Sequence, residues 1–288
     1  GFTPAAMIES IERHGVTDVL LVPTMIQMLS SYLLERTGCD LKTFKRLFYG
    51  AAPISEAALD RAMAVLPDVE FYQGYGMTEL SPLATLNPAY YHSAEGRSAG
   101  KVRSAGRASL CTEVRIIDPD GVEVPRGEVG EIVVRGPNVM LGYWNDSVQT
   151  NAALRGGWMH TGDCGRMDDD GFVSVVDRIK DMIKCGGENV FSAEVENVLA
   201  DHPAVAACAV IAIPSELWGE AVHAVIVTKP AMTVSLEQLV EHCRERIAAY
   251  KCPRSVEFRE ALPISGAGKI LKTELRKPFW EMRDRQIA

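Results

Sequence analysis

The feature that most constrains this chain is an alternation at its start, where short apolar β-prone runs take turns with helical periodicity. Val19–Val22, Lys45–Tyr49 and the residues leading into Tyr72-Gln73-Gly74 have the composition of buried strands, and Thr24–Leu34 and Ser55–Val65 between them have helical spacing. Thr3-Pro4 followed by Met7, Ile8 and Ile11 supplies an N-cap, a first-turn proline and an apolar stripe, so the chain opens on a helix. Such repetition predicts an α/β layer with a parallel sheet. The strand ends at Val22-Pro23, Tyr49-Gly50-Ala51-Ala52-Pro53 and Tyr72-Gln73-Gly74 then deliver their loops to one sheet edge, where ligands of such folds bind.

The texture changes after about residue 95. Glu113–Ile117, Glu131–Arg135 and Phe172–Val176 are β-prone runs set among Gly and Pro turns such as Asp118-Pro119-Asp120-Gly121, which predicts a small antiparallel, barrel-like β subdomain. Beyond Lys180, helical spacing at Glu194–Leu199 and Leu236–Ile247 is separated by β-prone runs at Ala206–Ile213 and Ala221–Val227, the pattern of a compact α+β domain. The expected organisation is a partial parallel-sheet subdomain over 1–95, the β-rich subdomain over 96–179 and the C-terminal α+β domain over 180–288.

Composition narrows the function classes. A net charge of −8 and the lack of any basic run argue against a nucleic-acid surface, which needs clustered Lys and Arg. The seven cysteines are scattered and form no C-x-x-C pair, so neither a disulfide framework nor a zinc site is expected, and a reducing, cytoplasmic setting fits. No run approaches the ~18 consecutive apolar residues of a membrane span, and the first residues show no signal-peptide pattern.

Four segments carry candidate chemistry. Tyr72-Gln73-Gly74-Tyr75-Gly76-Met77-Thr78-Glu79 combines glycines that let a backbone approach a phosphate, a hydroxyl donor at Thr78, a hard oxygen ligand for magnesium at Glu79 and an exposed-looking ring at Tyr75. It reads as a nucleotide cradle, and an ordinary turn closing a buried strand accounts for the same residues. In Trp158-Met159-His160-Thr161-Gly162-Asp163 the carboxylate follows a glycine in a predicted turn, where it can accept from two ribose hydroxyls or from its own backbone. Asp177–Lys184 is dense in charge, and Gly186-Gly187 after it suits a tight turn or a narrow ligand passage. Lys269 ends the glycine-containing loop Pro263–Gly268, where a mobile cation can neutralise a phosphate and a carboxylate as they approach; the spacing is not that of a Walker loop.

In this order the segments resemble the acyl-adenylate-forming superfamily of acyl-CoA synthetases, peptide-synthetase adenylation domains and beetle luciferases, over about residues 2–280. The resemblance implies that a carboxylate attacks the α-phosphate of MgATP to give acyl-AMP, and that a thiol then displaces AMP. It places Gly50, Ala51, Ala52 and Pro53 along the adenine, and Gln73, Gly74, Tyr75, Gly76 and Met77 around the base with Tyr75 stacking. It implies that Thr78 meets the phosphate, Glu79 holds Mg²⁺, Asp163 with Arg178 binds the ribose, and Lys269 bridges carboxylate and α-phosphate. Lys180 matches the hinge of the C-terminal domain, Gly186-Gly187 the thiol entry, and Trp218 the neighbourhood of the CoA nucleotide. The implied cofactors are ATP, Mg²⁺ and coenzyme A, and the implied partner is a small carboxylic acid, fatty or aromatic.

Two departures qualify the match. No Ser/Thr/Gly-rich loop ending in Pro-Lys-Gly occurs, and Cys252 stands where many CoA ligases carry arginine. The expectation is a C-terminal fragment of a CoA ligase, inactive alone and able to form a homo-oligomer; read as a non-catalytic unit, it would carry an exposed sheet edge that invites pairing with another chain. A carrier-loading adenylation domain, a luciferase-like oxidoreductase and a non-catalytic nucleotide-binding fragment are the alternatives.

Overall fold

A computed structural model describes residues 1–36, 38–52, 54–265 and 269–281. They divide into two compact units, one of residues 1–161 with 165–175, the other of residues 162–164 with 176–288.

The first unit opens on α1 (Pro4–His14), capped by the Thr3 hydroxyl on the Ala6 N–H at 3.3 Å and ended by Gly15 in the left-handed region at φ 62°. Then follow β1 (Asp18–Leu21), α2 (Pro23–Leu34), β2 (Arg46–Gly50), α3 (Glu56–Val65) and β3 (Glu70–Tyr75). β1, β2 and β3 pair in parallel, with Leu21 opposite Tyr49 and Gly50 opposite Gly74. Alternation puts Leu21, Leu47, Tyr49 and Phe71 on the face that packs against Ile8, Ile11, Ile26, Leu29 and Leu59 of the helices. The expected parallel sheet is present, and it continues past β3. β4 (Thr85–Asn87) and β5 (Arg107–Ala108) extend it antiparallel, because the chain reverses after β3 through a short 3₁₀ turn, with no crossover helix.

After the short helix α4 (Ala94–Arg97) comes the antiparallel sheet, built from β6 (Glu113–Ile117), β7 (Gly130–Arg135), β9 (Trp158–Met167) and β10 (Val173–Arg178) in the order β10-β9-β7-β6. Helix α5 (Ser147–Ala153) leads into β8 (Leu154–Arg155), which pairs with β9. Val114, Ile116, Ile132, Val134, Met159 and Val173 form the buried cluster of this region.

The second unit contains β11 (Ile183–Cys185), β12 (Glu188–Val190), α6 (Ser192–Ala200), β13 (Val205–Ser215), β14 (Gly219–Thr228), α7 (Leu236–Arg244), β15 (Ser255–Phe258) and α8 (Lys272–Trp280). Its sheet is mixed: β13 and β14 form a long antiparallel pair, and β15 joins β14 in parallel. Val210, Ala212, Val222, Ala224 and Ile226 of that pair share a core with Val195 and Leu199 of α6 and Leu239 of α7. α7 stops at Arg244, short of the expected Ile247, and the ladder breaks where the Arg246 N–H bonds the Cys243 carbonyl at 2.9 Å, three residues back rather than four. The α/β class with an antiparallel region and a C-terminal α+β region is as expected. Among the described residues no helix is long and apolar enough to cross a membrane.

Candidate active site

In the first unit, the cradle segment begins inside β3 and ends in a one-turn 3₁₀ helix, Thr78–Leu80. Its glycines answer to the chain's own packing. A Cβ on Gly50 would lie 2.2 Å from the Gly74 carbonyl oxygen, one on Gly76 would lie 1.9 Å from the Pro82 oxygen, and one on Gly74 would meet Leu83 Cδ1 at 2.8 Å. Glycine at these places is therefore accounted for without a ligand. Ala51 holds φ at 67°, a left-handed conformation rare outside glycine, at the head of the loop after β2; Ala52 follows it half-buried, and Pro53 lies outside the described residues. Gln73 is half-buried on β3, opposite Asn87 of β4. Tyr75 is also half-buried, which corrects its exposed appearance in the sequence. With Met77 it packs against the cluster of Leu80, Ala84 and Met159, since β3 ends over that apolar layer.

Thr78 is exposed and Glu79 half-buried. The Glu79 carbonyl accepts from the Met140 N–H at 2.8 Å, and its Oε1 accepts from the Tyr143 hydroxyl at 2.8 Å. That bond pushes the phenol of Tyr143 above its ordinary value, so it stays a donor at neutral pH. Asn138 Nδ2 donates to the Leu80 and Leu83 carbonyls at 2.7 and 2.9 Å, so the segment after β7 pins the turn that carries Glu79. Tyr143 and Asn138 were missed in the sequence, where the only signal was an aromatic pair, Tyr143-Trp144, among turn residues. The chemistry of the group fits magnesium: Glu79 offers hard carboxylate oxygens, one of them oriented by the Tyr143 hydroxyl.

In the second unit, Asp163 sits within the ten-residue strand β9 rather than in the predicted turn. Gly162 before it, at φ 70°, produced the turn signal but only bends the strand. Asp163 as a whole is 7% exposed and Arg178 Nε lies 3.2 Å from its Oδ1, while the Arg178 side chain is largely open to solvent. The Ile179 N–H donates to the Gly162 carbonyl at 2.9 Å, which ties the strand end carrying Arg178 to the bend carrying Asp163. Two residues 15 apart in sequence are thus brought into one pair.

Gly186 and Gly187 form the two-residue loop of the β11–β12 hairpin, at φ 63° and 89°, with Cys185 opposite Glu188. Both positive φ values match the turn that follows strand twist, so the tight-turn reading accounts for the pair. Trp218 covers this turn: the Gly186 N–H donates to its carbonyl at 2.9 Å, and a Cβ on Gly186 would strike its ring at 2.8 Å. Arg254 lies over the same ring at 5.6 Å. Lys269 is exposed, and the neck of its loop is closed by Ser265 N–H to Lys269 O at 2.7 Å and Lys269 N–H to Ser265 Oγ at 3.1 Å. Gly266, Ala267 and Gly268 lie outside the described residues. Lys180 is also exposed, in the turn after β10, and its carbonyl accepts from Arg276.

Comparison with known proteins gives this arrangement its context. Residues 1–144 match the family described as AMP-binding enzyme, and residues 194–269 match the AMP-binding enzyme C-terminal domain. A feruloyl-CoA synthase of Amycolatopsis is 46% identical over 96% of the chain and 55% of its own length. A fatty acid–[acyl-carrier-protein] ligase, ScoC of Streptomyces coeruleorubidus, is 39% identical over 99% of the chain and 54% of its own. The o-succinylbenzoate CoA synthetase of Bacillus subtilis in complex with ATP and magnesium superimposes with a TM-score of 0.81 at 34% identity, over 95% of this chain and 54% of that one. The chain spans about half the length of the curated relatives it matches. With a matching family over residues 1–144 and a matching C-terminal domain over 194–269, the chain belongs to the AMP-binding enzyme family.

Proposed function

We propose that these residues form the nucleotide and thiol side of an AMP-forming acid–CoA ligase. The observation that carries this reading is the Asp163–Arg178 pair, a nearly buried carboxylate held beside an open cation in a chain of the AMP-binding family. A carboxylate so placed can accept from both ribose hydroxyls, with Arg178 fixing its orientation. Gly50–Ala52 and Gln73–Met77 flank the base, Tyr75 offers it a ring, and Thr78 donates to the α-phosphate. Glu79, oriented by Tyr143, would hold Mg²⁺, which when bound neutralises phosphate charge.

In the first half-reaction the acid's carboxylate oxygen bonds to the α-phosphorus and the bond to the bridging oxygen breaks, releasing pyrophosphate. Lys269 bridges the two anions as they meet, a task for a long-stemmed point charge. In the second, a thiolate attacks the acyl carbon past Gly186 and Trp218 and AMP leaves. The 288 residues contain no Ser/Thr/Gly-rich stretch ending in Pro-Lys-Gly, so we propose that alone they bind AMP but adenylate slowly. A carrier-protein thiol in place of CoA is the second reading, favoured by the likeness to ScoC.

Calorimetric titration tests the site directly. AMP binds the wild-type chain, and Asp163→Asn weakens it by about tenfold, the loss of one charge-assisted hydrogen bond. Equal affinity for AMP in the variant would remove the ribose role. Rapid pyrophosphate release from ATP and a carboxylic acid by the 288 residues alone would refute the division of labour.

A further inference from the structure

The segment from Asp177 to Asp181 runs from the last residues of β10 into the turn before β11 and contains Lys180, the residue read as the hinge. A free hinge would be joined to its surroundings only through backbone. This one is held at its start by α6, which α8 itself grips, and at its end by α8 directly. From α8, Lys272 Nζ donates to Ser192 Oγ and pairs with Glu196, each at 2.7 Å. The Ser192 hydroxyl in turn donates to Asp177 Oδ2 at 2.8 Å, and the Ala193 N–H reaches the same oxygen at 3.3 Å, so Asp177 caps α6 from outside the helix. Four residues along α8, on the same face, Arg276 Nη1 donates to the Lys180 carbonyl at 2.6 Å and Nη2 pairs with Asp181 Oδ1 at 2.9 Å. The Arg276 and Asp181 side chains are only 10% and 17% exposed, so solvent screens this contact weakly.

The two grips differ in consequence. Asp177 is fixed before the turn, whereas Arg276 holds the carbonyl of Lys180 itself. Rotation about the Lys180 backbone swings that carbonyl, so the turn cannot change conformation until the Arg276 bond breaks. α8 begins three residues after Lys269, so the helix that grips the hinge also continues the loop that presents the lysine.

We infer that Arg276 is a positioning residue, a latch that holds the Lys180 turn in one of its conformations and couples its release to movement of the α8–Lys269 segment. The inference rests on the hinge reading above. The latch is a charge-assisted, two-point contact, which a planar guanidinium makes and an ammonium makes only in part.

Hydrogen–deuterium exchange of the 288-residue chain reads it without any activity. The Asp181 and Met182 amides are bonded to the Arg178 carbonyl at 2.9 and 3.0 Å and report the turn. Arg276→Gln raises exchange at these amides at least tenfold while protection in β13 and β14 persists, and Arg276→Lys restores part of it. Asp181→Asn, which keeps the carbonyl bond, gives an intermediate rise and serves if Arg276→Gln folds poorly. An unchanged turn, or a rise shared by the whole unit, overturns the latch. The hinge reading is tested in the same chain with AMP alone and AMP plus CoA as probes. Turn exchange in the wild type that responds at least threefold to the probes supports the coupling. A turn that Arg276→Gln opens but that ignores bound AMP and CoA overturns the coupling and leaves only a structural clasp. A chain that binds no AMP by calorimetry fails the site reading instead, since exchange reports the latch without ligand.

Discussion

Lowering the pH below 6.5 should withdraw a stabilising contribution that His92 makes, and the size of that contribution follows from its surroundings. The ring is 1% exposed. Its Nδ1 lies 3.2 Å from the Pro88 carbonyl and its Nε2 lies 2.8 Å from the Tyr49 hydroxyl, so the neutral ring donates to Pro88 and accepts from Tyr49. Burial pulls its pKa down from 6.5 to about 4, with the bond to Pro88 opposing and the Arg97 cation assisting. The unfolded chain therefore takes up a proton near pH 6.5 that the folded chain refuses until about pH 4. His92 gives its full contribution above pH 6.5 and loses it as the pH falls toward 4, a change of about 3 kcal/mol in all. Urea unfolding at pH 7.5, 6.0, 5.0 and 4.5 of wild type and His92→Gln isolates it. The difference between the two proteins should shrink by ~1.4 kcal/mol per pH unit below 6.5. A difference that stays flat across this range would refute the argument. Tyr49→Phe tests the geometry independently: it orphans Nε2 and should cost about 1–2 kcal/mol at pH 7.5. The pair bears on the site, because Tyr49 is the last large residue of β2 before Gly50-Ala51-Ala52.

Gly76→Ala should destabilise by about 2–3 kcal/mol in urea unfolding, since the methyl would meet the Pro82 carbonyl, a backbone atom that cannot turn aside. Tyr143→Phe should lower affinity for MgATP several-fold and leave affinity for metal-free AMP unchanged, as titration would show; equal loss for both ligands would deny Glu79 its metal role. In a full-length enzyme with the proposed ligase activity, Lys269→Ala should block adenylation far more than thioester formation from supplied acyl-AMP, and equal loss in separate single-turnover assays would contradict the assigned role.

Local chemistry was legible where neighbours in sequence are neighbours in space. The Thr3 cap, the α2 and α3 periodicities and the Gly186-Gly187 turn depend on residues within a few positions, and each formed as read. The reading failed where a local signal met a tertiary constraint. Gly162 announced a turn yet lies in β9, because strand pairing on both sides outweighs one left-handed residue. Tyr75 looked exposed because its sequence neighbours are glycines, but the apolar layer beneath it comes from β9 and the segment after β3.

The sequence by itself determined the kinds of groups available and their order: an alternating α/β start, a β-rich middle, a late lysine, and four chemically distinct segments that resemble one family. Only the tertiary structure decided which of them meet. It paired Asp163 with Arg178, set Trp218 on Gly186, gave Glu79 its hydroxyl partner in Tyr143, and brought Arg276 to the Lys180 carbonyl across 96 residues of chain. Such contacts escape sequence periodicity, since a side chain's partner depends on how whole elements pack.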